Sequence, residues 1–190
     1  MRITSTFDPD LLELPWNVPL EQWPADHLVA LPRGISRHVV RFVQIGGVVY
    51  AVKETSEAIA QREYDLLRAL EDIDVPSVEP VAIVADRVDA SGEPLEATLV
   101  TRHLQFSLPY RALFSNTLRP ETVTRLLDAL AALLVRLHLN GFFWGDVSLS
   151  NTLFRRDAGA FAAYLVDAET GALYPSVSTG SGPKTSRSRE

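Results

Sequence analysis

Two β-branched runs, Val39-Val40-Arg41-Phe42-Val43-Gln44-Ile45 and Val48-Val49-Tyr50-Ala51-Val52-Lys53, flank the dipeptide Gly46-Gly47. A two-residue hairpin turn of the favoured type needs positive φ at both central positions, which glycine adopts without strain. The chain is thereby committed to an antiparallel ladder whose register is fixed at its tip. Side chains alternate along a strand, so Val49, Ala51 and Lys53 share one face and Val48, Tyr50 and Val52 the other. Just ahead lies Gly34-Ile35-Ser36-Arg37-His38. A strand entering or leaving that loop would set backbone N–H groups over the Lys53 face.

Lys53 is singular in another way. Of the eighteen basic residues only Lys53 and Lys184 are lysines, and Lys184 lies in a Ser/Gly-rich tail. A compact ammonium and a planar guanidinium are not interchangeable, so one lysine among arginines directs attention to position 53.

The hairpin is followed by a predicted helix from Ser56 to about Asp72, with Ser56 as N-cap and Glu57 in the first turn. Ile59, Leu66 and Leu70 fall on one stripe, and Glu63 falls on it too. Either Glu63 reaches solvent from the stripe edge, or it is buried and paired with Lys53, because a buried lone carboxylate is costly. Val81 to about Val88 and Leu95 to about Leu104 read as two further strands around the turn-rich Asp89–Pro94. Glu121 to Asn140 is the clearest helix. Its leucines and Val123 cover most of the circumference, which predicts a central buried helix, with Pro120 and Gly141 at its ends. Then comes the apolar stretch Phe142 to Phe154, into which Asp146 and Asn151 are set. Thr152–Phe154 and Ala163–Val166 form two short strands, the second ending in Asp167-Ala168-Glu169.

The expected organisation is an irregular segment over 1–32, a first lobe over 33–104, a second over 105–175 and a disordered tail over 176–190. In the first segment Trp16 and Trp23 are expected to pack on the body of the protein; a partner-binding peptide is the alternative. No cysteine is present, which excludes disulfides and thiolate chemistry and fits a cytoplasmic setting. The N-terminus has no apolar signal region, and the apolar run near Leu126 to Leu139 is broken by Asp128, Arg136 and His138, so no membrane span is expected. A net charge of -6 argues against nucleic acid.

Taken singly, each polar candidate has a bland reading: a strand-end lysine, a helix-face acid, turn residues at Asp146 and Asn151, a turn cap at Asp167. Their order is more informative. Ala51-Val52-Lys53, an inward Glu63, Asp146 with Asn151 five residues on, and Asp167 at a strand end resemble the lysine strand, catalytic loop and metal-binding aspartate of the protein-kinase-like superfamily. His138 resembles the histidine many of these proteins carry ahead of that loop. The phrasing of Arg62–Leu67 and Phe142–Asp146 is similar to bacterial lipopolysaccharide-kinase-like proteins, specifically an uncharacterised bacterial family grouped with them. The resemblance runs from about Leu31 to Tyr174.

It implies an α+β, two-lobed fold: a five-stranded antiparallel first lobe with one helix, and an incomplete, mostly helical second lobe. It implies an ATP- and Mg-dependent phosphotransferase acting on a hydroxyl of a small molecule, sugar or glycolipid. Lys53 would hold the nucleotide phosphates, oriented by Glu63. Gly34, Ser36 and Arg37 would belong to the phosphate-covering loop, and Ala51, Thr101 and His103 would line the nucleotide site. Asp146 would accept the substrate proton, and Asn151 and Asp167 would bind Mg. The sequence departs from the protein-kinase pattern at Trp144-Gly145, at Ser148, at Ala168-Glu169 and in lacking G-x-G-x-x-G, which favours a small-molecule or glycolipid acceptor. Only 23 residues follow Asp167, so the chain is expected to be a truncated member. A nucleotide-binding pseudokinase or scaffold is the rival reading, and a protein partner is left open.

Overall fold

The computed structural model describes residues 1–5, 9–31, 37–109, 113, 117–157 and 159–174. The hairpin forms as the Gly-Gly turn dictates. β2 (Val40–Ile45) and β3 (Val48–Thr55) pair from Ile45↔Val48 to Val40↔Lys53. Gly46 and Gly47 have φ of 55° and 84°, the left-handed values the turn requires.

Three more strands complete this sheet: β1 (Arg2–Ser5), β4 (Pro80–Ala85) and β7 (Ala97–Arg102). All pairs are antiparallel and the order is β1-β4-β7-β3-β2. β1 departs from the expectation of an irregular segment over 1–32. It lies on the far edge beside β4, with Arg2 opposite Ala85. A four-residue strand is too short to show an alternation that could be read from sequence. The expected strand over 81–88 is likewise broken at Asp86, whose φ is 53°, leaving the short β5 (Arg87–Val88) paired with β6 (Pro94–Leu95).

The sheet is covered on both faces. On one lies α1 (Glu57–Asp72), which buries Ala60, Glu63, Tyr64, Leu67 and Leu70. The buried stripe is rotated from the expected one, with Ile59 and Leu66 at its margin. Ser56 stands at the N-cap position, but its side chain makes no capping bond. On the other face Leu11, Leu14, Trp16, Leu20 and Trp23 pack against Val43, Tyr50, Val52, Val84 and Val100. Trp16 and Trp23 meet edge to face with centroids 5.2 Å apart. The N-terminal segment is thus a second layer of core, each fully buried leucine contributing about 1.5–3 kcal/mol.

Arg87 fastens that layer. Its side chain is fully buried, and its guanidinium donates to the carbonyls of Trp16, Val18 and Glu96 and to the Glu54 carboxylate, at 2.7–2.9 Å. An arginine fork can satisfy this many acceptors at once, where a lysine cannot.

The second lobe is built on α2 (Pro120–Leu139). Against it lie β9 (Phe142–Trp144), paired with β12 (Gly171–Leu173), and a sheet of β8 (Ser107–Pro109), β10 (Thr152–Asp157) and β11 (Ala160–Leu165). α2 is not the centrally buried helix its composition suggested. Leu126, Ala129, Leu133 and Leu137 are buried, whereas Leu127, Val135 and Leu139 are exposed. The reason is one-sided packing: β9 and β11 meet one stripe, and no described element covers the other. At Gly141, φ +75°, the chain reverses from α2 into β9; a Cβ there would strike the Tyr174 carbonyl. One apolar cluster runs from α1 through Leu99 to α2, Phe142, Trp144 and Leu165, so both lobes share a core.

Arg87→Met should destabilise the protein by about 3–5 kcal/mol, because Glu54 and three carbonyls lose their buried donor. Chemical denaturation would check this; a loss below about 1 kcal/mol would mean that Arg87 does not fasten the segment.

Candidate functional site

The face of β3 that carries Ala51 and Lys53 looks onto a cleft of about 500 Å³ between the lobes. Ala51, Lys53, Glu63, Thr101, His103, Asn151 and Asp167 all line it. Leu99, Leu153 and Val166 add apolar walls. The size and the mixture of apolar lining with a few convergent charges are those of a small-ligand site.

Lys53 is placed by the two strands beside it, opposite Val40 on β2 and Leu99 on β7. Its Nζ lies 2.6 Å from Glu63 Oε2 and 3.5 Å from both Asp167 Oδ2 and Glu169 Oε2. Glu63 is 2% exposed, so of its two sequence readings the structure selects the buried, paired one. Burial pushes the Glu63 carboxyl up to about 7, although the Lys53 ammonium pulls the other way. For Lys53, burial opposes the charge, but Glu63, Asp167 and Glu169 together outweigh it and hold the ammonium above its ordinary range.

Asp167 is positioned mainly through its backbone. The Pro76–Val78 loop stitches onto β11: Leu165 N–H donates to Pro76 O, and Val78 N–H to Leu165 O. Val166 N–H donates to Asn151 O, tying the strand end to the loop of Asp146. Trp144 Nε1 donates to Asp167 O at 3.0 Å. Glu169 N–H then bonds Asp167 Oδ1 at 2.9 Å.

Asp146 follows β9 and is exposed. Its carbonyl accepts from Ser148 N–H, which closes the turn the sequence allowed for. Asn151 Nδ2 donates to Asp146 Oδ2 at 3.1 Å. The amide nitrogen is therefore spent on the carboxylate, which leaves the Asn151 carbonyl oxygen as its ligand face. Together with Asp167 in the same cleft this is a hard-oxygen donor set, the kind Mg prefers, so the residues fit such an ion. Carboxylate oxygens of Glu63, Asp167 and Glu169 also fall within 4.8 Å of one another.

Of the other anticipated residues, His103 stands edge-on to the Phe42 ring at 5.3 Å, and burial holds its imidazole below the usual range. Arg37 binds Glu169 Oε1 at 2.9 Å. Gly34 and Ser36, like the tail over 176–190, lie outside the described residues. Sequence reasoning missed three participants: Trp144 as a holder of Asp167, Glu169 as a partner of Lys53, and His38, whose Nε2 lies 2.9 Å from Glu169 Oε2. The Asp-x-Glu spacing over Asp167–Glu169 was the available signal for the second. Burial would raise the Glu169 carboxyl, but Lys53, His38 and Arg37 hold it below the ordinary range.

A profile of the Lipopolysaccharide kinase (Kdo/WaaP) family matches residues 45–175. Among solved structures, the chain is similar to that of WaaP in complex with acyl carrier protein. The TM-score is 0.59 at 18% identity, covering 92% of this chain and 73% of that one. That likeness shows the fold: a kinase-like arrangement of five-stranded sheet, α1 and a second lobe. No curated protein matches. No helix among the described residues is long and apolar enough to cross a membrane.

The raised Glu63 carboxyl gives a pH signature in the nucleotide-free, metal-free protein. The folded state holds a proton that the unfolded state releases between about pH 4.5 and 7, so this group costs stability as pH rises through that window. Above about pH 7 its effect is constant. Relative to Glu63→Gln, the wild type should lose on the order of 2 kcal/mol between pH 5 and 7.5, read from denaturation midpoints; parallel profiles would contradict it.

Proposed function

The chain belongs to the lipopolysaccharide kinase (Kdo/WaaP) family, and from that premise we propose that it transfers the γ-phosphate of ATP, with Mg, to a hydroxyl of a lipopolysaccharide-type sugar. The observation that carries this reading is the Lys53–Glu63 contact of 2.6 Å at the wall of a cleft that also holds Asp167 and Asn151. Phosphoryl transfer asks a protein for positioned charge more than for covalent chemistry. Ala51, Leu99, Leu153 and Val166 offer the apolar walls for a base, with the Thr101–His103 strand end alongside.

Lys53 faces the α/β-phosphates, and Glu63 keeps its ammonium aimed into the cleft rather than into solvent. Asn151 and Asp167 would hold Mg, which when bound neutralises charge developing on the transferred group. Asp146 has one oxygen engaged by Asn151 and accepts the proton of the acceptor hydroxyl with the other. Its exposure suits an acceptor that arrives from outside. Arg37 would add a guanidinium to the phosphates. The acyl carrier protein seen with WaaP supports a protein partner as a second, separate element of this proposal.

Mg-ATP should raise the melting temperature of the wild type, and Asp167→Asn should abolish the rise; no rise in the wild type would refute the nucleotide reading. With lipopolysaccharide core oligosaccharide as acceptor and γ-labelled ATP, Asp146→Ala should lower transfer by about 10²–10⁴-fold while the melting shift persists. A shift in the wild type with no transfer from it would instead leave a nucleotide-binding pseudokinase.

A further inference from the structure

The carboxylate of Glu169 collects three basic groups. Oε1 accepts from Arg37 Nη2 at 2.9 Å, and Oε2 lies 2.9 Å from His38 Nε2 and 3.5 Å from Lys53 Nζ. The Glu169 side chain is 13% exposed and its contacts with His38 and Lys53 are sheltered and weakly screened, whereas Arg37 is 68% exposed and reaches it from the solvent side. The backbone beneath is fixed, since Glu169 N–H is bonded to Asp167 Oδ1. The carboxylate therefore reaches from the Asp167 strand end of the second lobe to a loop and a strand of the first.

Two of the three groups are adjacent in the chain, and the third stands across the hairpin from the strand they lead into. Arg37 and His38 precede β2, and Lys53 lies on β3, opposite Val40. The β2–β3 register, continued by Glu54 N–H to Val39 O, brings His38 beside Lys53, but nothing about the hairpin requires a carboxylate from the second lobe to join them. What they surround is one oxyanion, and a guanidinium fork, an imidazole N–H and an ammonium are also what a phosphoryl group takes as donors. One set of donors serves one anion at a time.

We propose that Glu169 is an internal phosphate mimic. It occupies Arg37, His38 and Lys53 in the nucleotide-free protein and is displaced from them when nucleotide phosphates bind. The inference rests on the ATP reading above and adds to it His38 as a phosphate contact and Glu169 as a competitor. The protein is then an equilibrium between a form with the cradle filled by its own carboxylate and a form with the cradle open. Apparent affinity for nucleotide is the intrinsic affinity reduced by the open fraction.

Two variants separate this from its rivals. Glu169→Gln removes the charge. Glu169→Asp keeps it but withdraws the carboxylate by one methylene, so that it no longer spans to Arg37 and His38. Calorimetric titration with Mg-ATP, and with ATP in EDTA, should show both variants binding about fivefold to tenfold more tightly than the wild type under each condition. Tighter binding by Glu169→Gln alone would mean a general field effect and overturn the mimic. Unchanged or weaker binding by both, the outcome if Glu169 helps to hold a cation, would overturn it too. Absence of binding by the wild type and both variants would instead overturn the nucleotide reading beneath it, and this inference with it.

Discussion

A carboxylate that is almost wholly buried, with an ammonium 2.6 Å away, sets the terms for the rest of this structure. Breaking such a pair from one side costs about 3–5 kcal/mol, so neither partner is free to move alone. Lys53 is fixed by β2 and β7 on either side of its strand, and Glu63 by the face of α1 that packs on the sheet. The pair thus pins α1 to the sheet at one rotation. The buried stripe of α1 runs through Ala60, Glu63, Tyr64, Leu67 and Leu70, with Ile59 and Leu66 at its margin.

Charge in the cleft is arranged around that pair and is not balanced by it. Three carboxylates gather on one lysine, and Arg37 and His38 come in from the loop side. An excess of carboxylate oxygen beside a carbonyl-presenting asparagine suits a divalent ion, while the basic groups suit phosphate. Trp144 supports the arrangement from below. Its indole N–H holds the Asp167 carbonyl, and its ring is part of the core shared by the lobes. Where the protein-kinase pattern has histidine, this chain keeps a donor but adds apolar volume.

Much of this was legible in the sequence because it is local. The Gly-Gly hairpin, the helix over Glu57–Asp72 and the long helix ending at Gly141 each carry their own periodicity and punctuation. Lys53 was legible through its rarity, and Glu63 through its place on an apolar stripe. What was not legible depends on partners far away in the chain. β1 is an edge strand of four residues that gains its meaning from β4. Arg87 reads as an ordinary charged residue until Trp16, Val18, Glu54 and Glu96 are seen around it. The leucines of α2 overstate its burial, because sequence shows which residues are apolar but not how many sides are covered. Glu169 read only as part of the strand end Asp167-Ala168-Glu169, and only the fold brings Arg37 and His38 to it.

Lys53 is the proposed group that meets nucleotide phosphate. Calorimetric titration of the wild type and of Lys53→Met with Mg and a non-hydrolysable ATP analogue tests that directly. One-to-one binding by the wild type that disappears in a folded Lys53→Met protein is the predicted result. Equal affinity in the two proteins, or no binding by the wild type, would contradict it.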